Sequence, residues 1–391
     1  MFGGLDRKAM TALSTGHLAT DFASGSVPAL IPFFVEEYDL SYTLTAVIML
    51  AATISSSIVQ PLFGLWSDRR GAMWLLPGGV ALAGVGTGLA AAAPTYALVV
   101  ALVFLAGIGI AAYHPEGAKF AAFASGRKRA SGMSLFNIGG NTGYALGPII
   151  VTPLVLWLGL TGGLLAMLPV LVVAFALLRV LPYLRRLHPD ETGRTGPAGE
   201  DDVPAMWILG GVIVLRSVAW FGLLTFVPLW AVSIGHTTGE GNRLLALMLV
   251  AGAVGTLVLG PVADRIGLRR TLVLTQAALP VLIVVFVLAG GVVGALALML
   301  VGLCVVGTFG VTMVLSQLYL PQHVGVASGL SVGLAMGLGG VAAVALGVLA
   351  DAVDLEVALY VCAAAPAFGL VLALMLPAPR PRARLAVAGQ A

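Results

Sequence analysis

The chain has 391 residues, of which 59% are hydrophobic and only 9% are charged. Soluble domains carry roughly 25% charged residues, so the composition argues against a soluble protein and places most of the chain in lipid. The formal net charge of +3 requires no nucleic-acid partner, because membrane topology accounts for the basic residues.

Apolar runs between charged or turn-forming residues predict twelve membrane-spanning helices. Their approximate limits are 9–34, 43–66, 73–93, 95–123, 131–157, 160–183, 205–233, 244–263, 271–290, 292–319, 326–349 and 356–376. We interpret all of them as helices, because a lipid-exposed backbone must satisfy its hydrogen bonds within its own segment. The alternating pattern of a membrane β-barrel does not occur.

The first span carries two ionisable residues, His17 and Asp21, one helical turn apart on the same face. A charge at the bilayer centre costs at least about 2.5–3.5 kcal/mol unless it is paired or hydrated, so such residues indicate functional sites. Counting about 1.5 Å per residue from Lys8 places Asp21 roughly 20 Å into the membrane. The sequence therefore predicts that Asp21, with His17, carries a coupling proton. Pro28 and Pro32 are expected to break this helix farther along.

A loop motif after the second span is repeated after the eighth. Gly64–Gly71 (GLWSDRRG) returns 196 residues later as Gly260–Gly267 (GPVADRIG), and Ala130–Ser134 returns 197 residues later as Ala327–Ser331. Such internal repeats are typical of transporters built from two related halves. Glycines permit tight turns and close helix approach, and aspartates accept charge-assisted hydrogen bonds. The predicted gating residues are Gly64, Asp68, Arg69, Gly71, Gly260, Asp264, Arg265 and Gly267.

The fourth span contains the run Tyr113–Lys119 (YHPEGAK). We expect Pro115 to open the helix locally, so that a proton passes between His114 and Glu116. One alternative is an ion pair between Glu116 and a snorkelling Lys119. The other is a metal site, but His-x-Glu supplies only two ligands and only His17 and Asp21 offer others nearby, so no metal site is predicted.

The fifth span contains a predicted helix-bending motif of Gly143, Gly147 and Pro148. Glycines four residues apart let a facing helix approach closely, and proline weakens the hydrogen bonding of its own helix. Similar spacing predicts tight packing of four glycines in the eleventh span, namely Gly329, Gly333, Gly337 and Gly340.

The seventh span, which is the counterpart of the first, contains Arg216. The repeat aligns Arg216 with Thr20, beside Asp21, so the two charges are expected at similar depths across a central cavity. They act either as an anion-binding group and a proton carrier, or as a structural ion pair. The other side chains predicted to line the substrate cavity are Asn137, Asn141, Lys119, Tyr144, Trp220 and Gln317.

The longest polar interruption divides the chain into two halves. We predict an N-terminal six-helix half (1–183), a linker (184–204), a second six-helix half (205–376) and a disordered basic tail (377–391). The predicted fold is an all-α membrane protein with twelve transmembrane helices in two pseudo-symmetric halves. Nearly all Lys and Arg residues fall on one side of this arrangement, so both termini are expected in the cytoplasm. One duplicated chain is expected to function as a monomer.

Five segments together resemble the fosmidomycin-resistance group of the major facilitator superfamily. They are His17–Asp21, Tyr113–Lys119, Ser131–Asn141, Leu215–Ser217 and Val324–Gly329. The two D-R loops resemble the signature loop of the whole superfamily, and the fifth span resembles the G-x-x-x-G-P motif of proton-driven antiporters. The resemblance implies the major facilitator fold in a bacterial inner membrane. It further implies alternating access, in which small drugs or metabolites are exported in exchange for protons, with no cofactor.

Alternative functions share this fold. A proton-coupled importer or facilitator of a small solute, and a lipid or lysolipid transporter, both fit the sequence. A membrane-embedded enzyme that uses His114 and Glu116 is disfavoured by the duplicated loops. In the transporter interpretation the partners are a small-molecule substrate, protons and membrane lipids.

Overall fold

The computed structural model describes residues 5–70, 72–126, 129–187 and 200–378. Within these ranges the chain is helical apart from short connections, and it contains no strand. In chain order the helices are α1 (Arg7–Tyr38), α2 (Tyr42–Arg70), α3 (Leu75–Ala90), α4 (Tyr96–Ser125), α5 (Arg129–Leu158), α6 (Met167–Leu184), α7 (Val203–Ser233), α8 (Thr238–Ile266), α9 (Leu268–Ala289), α10 (Gly291–Tyr319), α11 (Val324–Gly333), α12 (Gly339–Ala352) and α13 (Leu355–Met375). A 3-10 segment (Leu160–Ala166) precedes α6. A π-helical segment (Leu334–Leu338) joins α11 to α12, so these form one span.

The helices correspond one to one with the twelve predicted spans. Eleven segments of the described chain are long and apolar enough to cross a membrane, and the remaining span, α3, has 16 residues. The linker and tail predictions fall largely on residues 188–199 and 379–391, which lie outside the described ranges.

The prediction that Pro28 and Pro32 break the first helix is wrong, because α1 runs through both residues to Tyr38. Residues 29–31 between them are at most 2% exposed. Tertiary packing from all sides therefore holds the helix where proline removes backbone hydrogen bonds. The predicted local opening at Pro115 is absent, since α4 is continuous from Tyr96 to Ser125.

Two helices, α1 and α7, occupy the centre of the bundle. In their most apolar windows 78% and 83% of residues are buried, compared with 28–50% in the other segments that are long enough to cross a membrane. Equivalent helices make equivalent contacts in each half: α2 packs on α4 as α8 packs on α10, and α3 on α6 as α9 on α13. Between the halves, α2 contacts α12 and α5 contacts α8. These contacts show the two pseudo-symmetric halves that the repeats predicted.

Glycines on α5 bring its backbone against that of α1. A Cβ added to Gly143 would overlap the backbone of Leu18, and one added to Gly147 would overlap the backbone of Gly25. The facing helix expected from the glycine spacing is thus α1, the helix that carries His17 and Asp21. Helix α5 stays helical through Pro148.

The eleventh span differs from its prediction. A Cβ added to Gly329 or Gly333 would meet no atom within 4 Å, and one added to Gly337 would lie 3.7 Å from Ser57. Only Gly340, whose added Cβ would overlap Thr53, is packed as tightly as predicted. Glycine spacing alone did not distinguish these positions, because it does not specify which face of the helix meets a neighbour.

We expect Gly147→Ala to destabilise the chain and Gly333→Ala to leave its stability nearly unchanged. The first methyl group overlaps the α1 backbone, which cannot move without shifting a helix, and such overpacking costs about 1–3 kcal/mol. The second enters open space in a helix where alanine is the better helix former. Thermal unfolding of the purified variants measures both effects, and equal midpoints would contradict the packing described here.

Two sets of hydrogen bonds join the halves toward one end of the bundle. We call the end where α1 begins the basic end and the opposite end the acidic end. At the acidic end the carboxylate of Asp351, on α12, accepts hydrogen bonds from the backbone N–H groups of Tyr42 (2.8 Å) and Thr43 (2.9 Å). Because these N–H groups begin α2, an aspartate of one half caps a helix of the other.

A second connection lies farther inside the acidic end. The buried Asn242 of α8 donates to the carbonyl oxygen of Ala29 (2.9 Å) and to the hydroxyl of Thr152 (3.0 Å), which belong to α1 and α5. Near the basic end, by contrast, Gly260 and Gly333 face open space. The structure therefore describes a conformation in which the two halves meet at the acidic end.

We expect Asp351→Ala to weaken this closure. The matched control is Asp354→Ala, because Asp354 caps α13 in its own half, accepting from the N–H of Val357 (2.7 Å). Pulsed electron paramagnetic resonance between labels at the exposed positions Glu37 and Ile234 would report the separation of the halves. Longer distances for Asp351→Ala alone are expected, and the same distance distribution in both variants would show that the cross-half cap is not a closing contact.

Candidate functional site

Three ionisable side chains converge inside the N-terminal half. His17 and Asp21 project from α1, and His114 projects from α4, which packs beside it. The Nε2 atom of His17 lies 3.3 Å from one carboxylate oxygen of Asp21. The Nε2 atom of His114 lies 3.2 Å from the other oxygen. We call these three residues the His–Asp–His cluster.

Backbone carbonyls fix the orientation of both imidazole rings. Nδ1 of His17 lies 2.8 Å from the carbonyl oxygen of Phe136, and Nδ1 of His114 lies 2.8 Å from that of Ile110. A carbonyl oxygen only accepts hydrogen bonds, so each Nδ1 carries the hydrogen and each Nε2 is left facing Asp21. The hydrogen-bond network thus assigns the tautomers.

The hydrogen bonds within the cluster depend on how many protons it holds. Each Nε2–carboxylate contact is a hydrogen bond only when a proton lies between the two atoms. With two shared protons the cluster carries a net charge of +1, and both contacts are favourable. With one proton the cluster is neutral, and one imidazole lone pair faces an oxygen lone pair. The geometry of the cluster therefore suits a group that gains and loses protons.

Helix α5 covers the cluster. The ring of Phe136 stacks on that of His17, with centroids 4.1 Å apart. A Cβ added to Gly140 would lie 2.5 Å from Nε2 of His17 and 2.6 Å from a carboxylate oxygen of Asp21. Both residues lie in the run SLFNIGGN, but neither was predicted as a site residue. The adjacent glycines signalled close approach without indicating what approaches.

The three ligand-type atoms of the cluster lie within 4.8 Å of one another. The sequence argument counted His114 and Glu116 as two ligands of one site, with only His17 and Asp21 nearby, whereas the structure groups His114 with His17 and Asp21 and without Glu116. Two shared protons satisfy the same atoms and need no further component.

The structure separates His114 from Glu116, contrary to the predicted proton exchange between them. Residues two apart point to different faces of a helix. Glu116 is fully buried and forms an ion pair with Lys119, with an N–O distance of 2.9 Å. The structure thus contains the Glu116–Lys119 ion pair that the sequence analysis gave as one alternative.

A buried cation occupies the C-terminal half. Arg216, on α7, is 1% exposed, and it donates to the hydroxyl groups of Thr308 (2.9 Å) and Thr312 (3.4 Å) on α10. Its guanidinium lies 4.4 Å from the ring centroid of Phe309, and its Nε atom has no hydrogen-bond partner. Among the described residues no ion pair joins Arg216 to Asp21, so the predicted structural pair is not formed in this conformation.

Other predicted cavity residues have separate roles. Asn141 donates to the hydroxyl of Thr256 (3.0 Å), which links α5 to α8 between the halves. Gln317 donates to Ser328 (3.0 Å), which links α10 to α11. The rest are an exposed Asn137, a half-buried Tyr144 and a buried Trp220. The structure shows no hydrogen bond from these five side chains to the His–Asp–His cluster, although Tyr144 is close enough to Asp21 to interact with it electrostatically.

The repeated loops are only partly described. The side chains of Asp68 and Arg69, and all of Gly71, lie outside the described residues. In the second copy Asp264 and Arg265 are exposed. Gly267 joins α8 to α9 with φ of 99°, which requires glycine. Close approach is not needed at the other two glycines, because an added Cβ would lie 3.7 Å from Pro115 at Gly64 and in open space at Gly260.

Known proteins resemble this chain in sequence and in fold. Residues 13–344 match the family model described as Major Facilitator Superfamily. The MFS-type transporter YfnC of Bacillus subtilis (strain 168) is 32% identical, over 90% of this chain and 89% of that protein. The fosmidomycin resistance protein of Escherichia coli (strain K12) is 28% identical, over 92% and 90% of the two chains.

Solved structures agree on the fold. A mutant of the nucleoside transporter NupG superposes with a TM-score of 0.74, at 11% identity, over 94% of this chain and 99% of that one. A bacterial homolog of the human lysosomal transporter Spinster, in an inward-facing and occupied conformation, has a TM-score of 0.74 at 13% identity, covering 94% of each chain. The chain therefore belongs to the major facilitator superfamily and is a multi-pass membrane transporter.

Proposed function

We propose that this transporter is a proton-coupled antiporter that exports small anionic drugs or metabolites by alternating access. The observation that carries the proposal is the His–Asp–His cluster, in which two imidazole Nε2 atoms face one carboxylate. The positive-inside rule supports a basic end in the cytoplasm and thus a bacterial inner membrane with both termini inside. The name of the related fosmidomycin resistance protein supports a role in resistance to a drug, which export would provide.

Protonation of the cluster would favour one conformation of the N-terminal half. Two shared protons join α1 to α4, while the Nδ1 hydrogen of His17 joins α1 to α5 through the carbonyl of Phe136. Loss of a proton leaves one repulsive contact and weakens the connection between α1 and α4. Since α1 is central, such a change is suited to alter how the halves meet. Protons couple to transport only if they bind the two conformations with different affinity.

Cargo would bind to the C-terminal half at Arg216. A guanidinium buried without a carboxylate partner among the described residues is stabilised by an anion that hydrogen-bonds to it. The Nε hydrogen has no partner, and the hydroxyl groups of Thr308 and Thr312 hold the other two nitrogens. A carboxylate or phosphonate is negatively charged and accepts several hydrogen bonds. It therefore matches both the charge of this site and the donors that the site offers.

The cycle follows from combining the two sites. Protons from outside load the cluster while the acidic end is open, and the halves then close there, as in the conformation described. Release of protons to the cytoplasm frees the halves to open outward again, this time with an anion on Arg216. Protons and cargo compete through the conformation of the bundle rather than for one atom.

One observation favours a second function, proton-coupled import. A doubly protonated cluster and Arg216 are both positive, so protons and an anion attract each other and can travel together. The gentisate transporter of Corynebacterium glutamicum, 26% identical over 79% of this chain, is a relative. The direction of proton movement when cargo is added separates antiport from import.

We expect Asp21→Asn to abolish proton coupling while the chain still folds. Asparagine has nearly the shape of aspartate, but it lacks the carboxylate that shares protons with the two imidazoles. In inverted vesicles acidified by respiration, adding fosmidomycin or another active anion should release protons with the wild type and not with Asp21→Asn. Glu37→Gln, which alters an exposed carboxylate, is the control and should behave as the wild type. Wild-type proton release by Asp21→Asn would exclude the cluster as the coupling site.

We expect Arg216→Gln to weaken binding of anionic compounds by about 10- to 100-fold, since hydrogen bonds to a charged group contribute about 1.5–3 kcal/mol. Arg216→Lys keeps the charge but not the fork of donors and should lie between Gln and the wild type. Binding to the purified chain would be compared for an anionic compound and its neutral ester. Equal losses for both would show that Arg216 supports the structure rather than the anion.

A further inference from the structure

A groove lies between α1 and α6 close to the basic end. Its volume is about 470 Å³. Along α1 it is lined by Arg7, Lys8, Thr11 and Thr15, which recur at helical spacing and are all exposed. Along α6 the lining is apolar and runs from Val173 to Val180. The groove thus has a cationic mouth and an apolar wall.

The carboxylate of Asp6, beside the cationic mouth, is engaged in holding α1 in place. One oxygen of that carboxylate accepts from the N–H of Ala9 (3.0 Å) and so caps α1. The other oxygen accepts from the hydroxyl of Tyr183 (2.6 Å). The ammonium of Lys8 lies 4.7 Å over the Tyr183 ring, which positions it beside α6. Two further exposed arginines, Arg185 and Arg186, follow at the end of α6.

The groove opens sideways rather than toward the interior of the bundle. Val172, Phe175 and Leu178, on the outer face of α6, are 67%, 55% and 52% exposed. In a chain that spans a membrane such apolar side chains contact acyl chains. From Arg7 to Thr15 the α1 wall extends about 12 Å along the helix axis. An occupant must therefore be anionic at the end of the membrane and apolar for about 12 Å below it.

We propose that this groove binds one anionic phospholipid from the leaflet at the basic end. The phosphate is held by Arg7 and Lys8, and one acyl chain lies against Val173, Leu177 and Val180. Basic pockets between helices on the cytoplasmic side of membrane proteins bind such head groups. A free phosphate compound would use the mouth but would gain nothing from the apolar wall. The site does not depend on the cargo or on proton coupling.

The occupant would connect α6 to the first two turns of α1. That segment of α1 leads directly to His17 and Asp21 farther along the helix. The lipid would therefore hold the central helix at its basic end, opposite the end where Asp351 and Asn242 join the halves. Its effect is expected on stability as well as on transport.

The test uses the full chain and measures binding of phosphatidylglycerol, phosphatidylethanolamine and soluble glycerol 3-phosphate by native mass spectrometry. We expect one retained phosphatidylglycerol, and about 30-fold weaker binding in Arg7→Gln/Lys8→Gln, given the contribution of each basic residue near a membrane surface. Ala176→Trp, which fills the apolar wall from an exposed position, should displace the lipid with both cations intact. Arg265→Gln/Arg270→Gln, an equal charge change at the basic end of the other half, should retain it.

Three results would overturn the proposal. One is unchanged phosphatidylglycerol binding in Arg7→Gln/Lys8→Gln. Another is an equal loss in Arg265→Gln/Arg270→Gln, which would indicate general attraction to a basic surface. The third is that glycerol 3-phosphate binds as tightly as the lipid, which would identify a phosphate site without an acyl-chain component. A lower thermal midpoint in phosphatidylethanolamine alone than in phosphatidylglycerol, seen with wild type and not with Ala176→Trp, would support the proposal independently.

Discussion

The cost of placing ionisable groups in lipid determines where this chain can carry chemistry. A lone carboxylate or guanidinium inside the membrane is unfavourable by several kcal/mol, so each must have a partner or remain available for one. The chain meets this constraint differently in its two halves. Asp21 is enclosed by two imidazoles, whose Nε2 atoms face its two carboxylate oxygens. Arg216 has neutral hydroxyls and an aromatic face but no carboxylate among the described residues. In the proposed function, protons complete the first site and an anion completes the second.

Close helix packing is what allows the first site to exist. The glycines of α5 let its backbone reach α1, and at Gly140 the absence of a side chain leaves room for the His17 and Asp21 side chains. The same approach places the Phe136 carbonyl against Nδ1 of His17 and so selects its tautomer. Proton chemistry and helix packing are therefore not independent here. A change in the separation of α1 and α5 alters the hydrogen bond that orients the imidazole, which gives the bundle a physical means of linking conformation to protonation.

Sequence reasoning found the architecture because hydropathy and duplication are properties of long segments. It also identified Asp21, His17 and Arg216, since a charged residue in an apolar span is conspicuous. It assigned His114 to the wrong partner because adjacency along α4 was given more weight than helix geometry, which turns Glu116 to another face. Thr308 and Thr312 were missed altogether, because threonines in a span are common and only the position of Arg216 in three dimensions distinguishes them. The open surroundings of Gly329 and Gly333 were missed for the same reason.

The pseudo-two-fold relation allows the polar sites of the two halves to be compared directly. Helices α1 with α4, and α7 with α10, are equivalent pairs, and each pair holds one polar site at its centre. Duplication would first have produced two similar sites, whereas the present chain has an acidic site with imidazoles in one half and a cationic site with hydroxyls in the other. Sites built from different chemical groups would allow each half to bind a different species. In the proposed antiporter the contact between the halves, through Asp351 and Asn242 at the acidic end, is the shared element through which occupancy of one site would change access to the other.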